Sequence, residues 1–262
     1  MDFRTRLFVI LFLAGFAGVL SILLIDLSAV ISILPLLDNS NVPPITPLIK
    51  ILSLIQPSIL LALAVLIGVA LASKIGLSSP VAEAAASGGN IGAALKSQIV
   101  PGVIGGVLGG TAIVLTSLLW SPLLPPEAVT RVSAWQKVVP LPTRLLSGGI
   151  TEELLLRWGF MTLLIWAAWR LLQKSAIRPG NGVYIGAIVI SSLVFGIGHL
   201  PIAYVIFPAI SGSLMLFVIV VNSLFGVIAG YLFWKKGLES AMIAHVLAHL
   251  VMFIANYLGA YF

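Results

Sequence analysis

Residues 99–119, IVPGVIGGVLGGTAIVLTSLL, decide the fold: they hold no ionisable side chain and match the roughly 20 residues a helix needs to cross a bilayer. Comparable apolar runs occupy 7–25, 49–72, 146–172, 183–199, 202–234 and 238–257. Lipid offers no hydrogen bonds to the backbone, so each run must satisfy its own N–H and C=O groups as a helix. The predicted class is all-α, a polytopic transmembrane helix bundle of about seven spans whose fourth, fifth and seventh helices surround a polar cavity.

Composition points the same way. Of 262 residues, 60% are hydrophobic and 8% charged, and the mean hydropathy is +1.17; soluble domains carry about a quarter charged residues. One integral unit is expected, with residues 1–145 as amino-terminal helices and connecting loops and 146–262 as a motif-bearing core. The formal charge of +6 comes from basic residues scattered near the ends of the runs rather than gathered in a stripe. That distribution suits the lipid bilayer as partner and excludes nucleic acid. The absence of cysteine removes disulfides, thiol catalysis and thiolate metal ligands.

The run 202–234 is long enough for one tilted span or two short ones, and Pro208 with Ser211-Gly212-Ser213 could break it, so eight spans are the alternative count. Taken as one span, it puts Arg4, Arg6, Lys74, Lys96, Arg170, Lys174, Arg178, Lys235 and Lys236 on one side, with Lys50, Arg131, Lys137 and Arg144 opposite. The positive-inside rule then places the amino terminus in the cytoplasm and the carboxyl terminus outside, and a bacterial plasma membrane is the expected location. The first run continues, apart from Asp26, through Ile33 to Leu37 and ends at Asp38 without a clear small-residue cleavage site. An uncleaved first span is expected over a signal peptide.

Residues 78–98, rich in Ala, Ser and Gly, read as an interfacial helix around Pro80 to Ala86 or as a loop. Residues 121–142 hold Pro122, Pro125, Pro126, Pro140 and Pro142 around a stretch with Trp135, flanked by Arg131 and Lys137, which suits a headgroup boundary. A connector is the simpler reading there and a substrate gate the other. Gly102, Gly106 and Gly110, with Gly105 and Gly109 beside them, leave a helix face almost without side chains where another backbone can approach; Gly226 and Gly230 read the same way.

Chemistry enters with the ionisable groups inside the apolar runs, which by default point into a protein interior and mark a site. Glu153 and Arg157 are four apart and share a helical face within reach of an ion pair. Glu152 is turned about 100° from Glu153 and is free to face a cavity. The two carboxylates then have different environments, as a general base and its supporting partner require. His199 ends the fifth run, and His245 and His249 share one face of the last. Histidines so placed can bind zinc, orient a water or donate to an oxyanion.

The series Glu152-Glu153-x-x-x-Arg157, Phe195-x-x-x-His199 and His245-x-x-x-His249 resembles the successive motifs of the CAAX protease and bacteriocin-processing enzyme family. The lead-in from Phe225 through Gly230-Tyr231 to Lys236-Gly237-Leu238-Glu239-Ser240-Ala241 and Ala244 is similar as well. The likeness covers residues 148–257. The family usually has asparagine or aspartate four residues after its last catalytic histidine, and this chain has His249.

The resemblance implies an intramembrane endopeptidase acting on a membrane-embedded or lipidated peptide without a cofactor. Glu152 and His199 would hold and deprotonate a water, with Glu153 and Arg157 in support. His245, with His249 in place of the amide, would stabilise the oxyanion. Family members clip prenylated carboxyl-terminal peptides, process bacteriocins or confer immunity to them, or serve as scaffolds. Two alternatives stand beside this one: a zinc-dependent peptidase using Glu152, His199, His245 and His249, and a noncatalytic scaffold or small transporter.

Overall fold

The computed structural model describes residues 1–32, 46–173 and 176–259, leaving Lys174 and the apolar continuation from Ile33 to Asp38 outside the described residues. Among those described, the regular elements are all helical. Among the described residues, seven helices are long and apolar enough to cross a membrane: Phe3–Leu24, Pro47–Ile75, Ile91–Leu123, Leu141–Leu172, Asn181–Ile206, Gly212–Lys235 and Leu238–Tyr257, here spans 1 to 7. The protein is an integral, multi-pass membrane protein. Leu108, Val189 and Leu216 remain exposed on the rim of the bundle, where lipid tails would cover them.

The ambiguous sixth run resolves into one crossing. Its first residues belong instead to a short helix, Leu200–Ile206, which follows His199. The Ser211 side chain accepts the Leu214 N–H at 3.1 Å and starts Gly212–Lys235 as a new helix. This hydroxyl cap satisfies a helix-end donor that apolar continuity could not. Span 3 likewise begins earlier than its apolar run, because Asn90 accepts the Ala93 N–H at 2.9 Å and the helix then carries Lys96 and Gln98 within it.

Of the two readings of residues 78–98, the helix is found, as Pro80–Ser87 with its proline in the first turn. Residues 121–142 contain the helix Ala128–Val138. Its Val132, Trp135 and Gln136 form part of a cavity wall, so this segment is more than the plain connector that its prolines suggested.

The glycines of span 3 form two ridges that serve two partners. A Cβ on Gly102, Gly106 or Gly110 would lie 2.7 Å from Ile243, 2.6 Å from Leu247 or 2.7 Å from Val251, all on span 7. On Gly105 or Gly109 it would lie 2.5 Å from Leu232 or 2.9 Å from Phe225, both on span 6. Span 3 is thus wedged against both helices at backbone distance. Gly226 faces Ser192 in the same way, joining spans 6 and 5.

Span 4 is central. The Thr151 and Thr143 hydroxyls donate to the span 1 carbonyls of Gly15 and Ser21, each at 2.7 Å, and Gly159 abuts Ala64 of span 2. From Arg144 to Glu152, and again from Leu154 to Met161, the helix is wound in wide π turns before an ordinary α-helix, Thr162–Leu172, takes over. Such turns are rare and recur at functional sites; here they carry Glu152 and Arg157, with Glu153 between the two segments.

The close approach of spans 3 and 7 is directly testable. Gly106→Ala should lower the thermal midpoint in detergent, at an overpacking cost of about 1–3 kcal/mol. Gly186→Ala on span 5, with no atom within 4 Å of the added carbon, should leave it unchanged. Equal midpoints for the two variants would show that the ridge does not set the packing.

Candidate active site

Glu153 lies at the centre of the polar cluster. It and Arg157 are both 0% exposed, and Arg157 Nε sits 3.3 Å from Glu153 Oε2. The other carboxylate oxygen, Oε1, lies 2.7 Å from His245 Nδ1 on span 7. Arg157 also donates from Nη2 to the Gly226 carbonyl at 3.0 Å, and its guanidinium carbon stands 5.0 Å from the centre of the Phe195 ring. One buried anion therefore fastens span 4 to span 7, and its cation fastens span 4 to spans 5 and 6. The two charges are paired and each makes one hydrogen bond, which offsets part of the cost of burial, while Glu153 Oε2 and Arg157 Nε and Nη1 have no hydrogen-bond partner among the described residues.

Glu152 turns the other way, into a cavity of about 350 Å³ that it shares with Arg144, Asn222, His199, His245 and His249. Its side chain is 31% exposed, and Oε2 stands 4.0 Å from His245 Nε2. That gap fits a single bridging water with two ordinary hydrogen bonds of about 2.8 Å. The neighbouring carboxylates thus do different things: Glu153 holds an imidazole from behind, and Glu152 faces that ring's free nitrogen across the cavity.

His199 occupies the joint between the helix Asn181–Gly198 and the short helix that follows. Its Nδ1 lies 2.8 Å from the Phe195 carbonyl. A carbonyl oxygen can only accept, so Nδ1 carries the proton and Nε2 of the neutral ring is an acceptor. Phe195 stands edge-on to both His199 and His245, with centroids 4.8 and 5.8 Å away, and Phe225 lies 4.4 Å from His245. These aromatic walls limit the rotation of both imidazoles.

His249 stacks on His245 with ring centroids 5.0 Å apart and planes 12° from parallel. Gly148 makes this possible, since a Cβ there would lie 2.5 Å from His249 Nε2. The stacking also bears on zinc. Imidazole lone pairs lie in the ring plane, so near-parallel rings direct them side by side rather than onto a common ion. His245 Nδ1 is already engaged by Glu153. Among the described residues, no three His, Asp or Glu side chains are grouped so as to hold a metal ion.

All six sequence-derived residues converge here, Glu153 and Arg157 behind the wall and the other four on it. Sequence reasoning missed Asn222, which lines the cavity from span 6 while donating to the Val218 carbonyl at 2.8 Å. An amide within an apolar run is costly in the same way as a charge, and that signal was present. It also missed Arg144, which lines the cavity and donates to the carbonyls of Val139, at 3.0 Å, and Gln136. Span 6 thus joins the fourth, fifth and seventh helices around the cavity.

Residues 134–251 match the Rce1-like family model of type II CAAX prenyl endopeptidases. The matched stretch contains every ionisable group of the cluster and begins inside the helix Ala128–Val138, so it includes part of that cavity wall. It covers a little under half of the chain, and spans 1 to 3 lie outside it. No curated protein and no solved structure matches.

Replacing Glu153 should damage the fold more than replacing its neighbour. Glu153→Gln leaves the Arg157 charge buried without its counterion, a loss of about 3–5 kcal/mol. Glu152→Gln alters a side chain that is partly exposed in the cavity. Thermal unfolding in detergent should show a large drop for the first and little change for the second; similar midpoints would remove Glu153 from its structural position.

Proposed function

We propose that the chain is an intramembrane endopeptidase that hydrolyses a peptide bond of a membrane-associated or lipidated substrate with a glutamate-activated water and no metal ion. The observation that carries this proposal is the position of Glu152, on a cavity wall opposite an imidazole nitrogen whose ring is fixed from behind by a buried carboxylate. The Rce1-like match supports the peptidase activity, and the mechanism rests on the geometry alone.

In the proposed reaction the water lies against Glu152, with the His199 Nε2 lone pair as a second acceptor. Glu152 takes a proton as the water oxygen bonds to the scissile carbonyl carbon. The carbonyl π electrons move onto its oxygen, and this oxyanion is stabilised by donors from His245 and His249. His245 supplies such a donor when it is protonated, with Nδ1–H on Glu153 and Nε2–H facing the cavity. As the tetrahedral intermediate collapses, the C–N bond breaks and Glu152 returns the proton to the departing amine. The products are a carboxylic acid and an amine, and no serine or cysteine nucleophile is required. Asn222 offers a further amide at the same wall.

Glu152→Gln keeps the shape of the side chain but cannot accept the proton, so turnover of a membrane peptide should fall by about 100-fold to 10,000-fold while the protein stays folded. Retained activity would take the base role away from Glu152. Chelators should leave wild-type turnover intact; loss on chelation and recovery on adding zinc would favour the metallopeptidase instead.

His249 is the departure from the family pattern. If it stands in for an amide donor, His249→Asn preserves much of the activity, whereas His249→Ala costs about 100-fold to 1,000-fold, the usual effect of losing one oxyanion donor. Full activity in both variants would leave His249 as a packing residue.

A further inference from the structure

The two ends of the bundle differ in a way that bears on where a substrate can enter. The cavity is walled by the first part of span 4, at Arg144 and Gly148, the end of span 5, at His199, the first half of span 6, at Asn222, and the second half of span 7, at His249 and Met252. With seven crossings, all of these lie toward the same face, that of the helix Ala128–Val138.

The opposite end is tied across by polar and aromatic contacts, and the cavity's lining does not reach it. There the Glu239 carboxylate, at the start of span 7, accepts the Ser79 hydroxyl at 2.6 Å and the Val81 and Ala82 N–H groups at 3.0 Å each, locking the helix Pro80–Ser87 across the bundle. Ser240 donates to Gln98 Oε1 at 2.7 Å, and the rings of Tyr184 and Trp234 stack 4.9 Å apart. Gly237, at φ 124°, leaves the room that Pro80 needs: an added Cβ would lie 2.5 Å from its ring.

That end is also the basic one. Arg4, Arg6, Lys74, Lys96, Arg170, Arg178, Lys235 and Lys236 lie near it, while the open end has Lys50, Arg131, Lys137 and Arg144. Two of these four have local structural uses: Arg131 donates to the Ile206 carbonyl at 3.2 Å, and Arg144 holds the carbonyls that end the helix Ala128–Val138. Basic ends face the cytoplasm.

We propose that the cavity opens to the exoplasmic face and is sealed toward the cytoplasm, so that its substrates are peptide segments presented at the outer interface of the membrane, not chains attached to the cytoplasmic face. The substrate class rests on the peptidase proposed above; the sidedness does not.

The chain has no cysteine, so single cysteines can report on each end. Thr130→Cys on the helix Ala128–Val138 and Ser87→Cys on the helix Pro80–Ser87 replace exposed residues that are outside the site. Treated with a membrane-impermeant maleimide, intact cells expressing the full chain should label the Thr130 variant, and the Ser87 variant should react only after permeabilisation. The reverse pattern, or labelling of the Ser87 variant in intact cells, overturns the proposal. A peptide unable to cross membranes should then be cleaved by right-side-out vesicles and spared by sealed inverted ones. Cleavage only by inverted vesicles also overturns it. Expected labelling with no cleavage in either orientation, nor after detergent, supports the sidedness and counts against the peptidase.

Discussion

A carboxylate removed from water must be paired and hydrogen-bonded, and at Glu153 that requirement organises four helices. Both its oxygens are committed, one to Arg157 and one to His245. Arg157 in turn reaches the Gly226 carbonyl and lies against Phe195. The cluster ties span 4 to spans 5, 6 and 7, and any displacement of one helix would separate charges in a medium that cannot solvate them. What holds the helices in register also sets the position of His245.

The same anion gives the two glutamates different roles. An imidazole with Nδ1 held by a buried carboxylate has a defined orientation and presents Nε2 to the space beyond, an arrangement known from hydrolases that use an acid to fix the tautomer of a histidine. Glu152, one residue away, faces that Nε2. In the proposed reaction, adjacent positions of one helix thus supply the support and the reacting group. Neither could be exchanged, because only Glu152 meets the cavity and only Glu153 meets the arginine.

Much of this was legible in the sequence because ionisable residues are so rare inside apolar runs. The spacing of Glu153 and Arg157 gave their pairing, and the histidine motifs gave the other wall. The limit was reached where polarity is not the signal. Wide π turns in span 4 depend on how the backbone closes around its neighbours, and no residue type announces them. The break before Gly212 was marked by Pro208 and Ser211, yet the choice between one crossing and two rested on tertiary placement of the short helix Leu200–Ile206. The glycine face of span 3 was evident, but its division into one ridge for span 7 and one for span 6 was not, because a helical period does not say which partner lies on which side.

The glycines and the charges answer a single difficulty. Between helices in lipid there is little hydrophobic driving force, since lipid tails are as apolar as the side chains they would replace, and association relies on close packing and polar contacts. Span 7 meets span 3 through the absence of side chains at Gly102, Gly106 and Gly110, and it meets span 4 through His245 and Glu153. Held on one side by dispersion contact and on the other by charge, its histidine face has one position available. Gly148 and Gly149 extend the logic to the site itself, where span 4 gives up side chains so that His249 and Val246 can approach its backbone. The hydrolysis proposed for this site needs water at one point and dryness around it. Close packing behind the cavity, with the Glu152 carboxylate facing into it, would meet both needs through the same helix contacts.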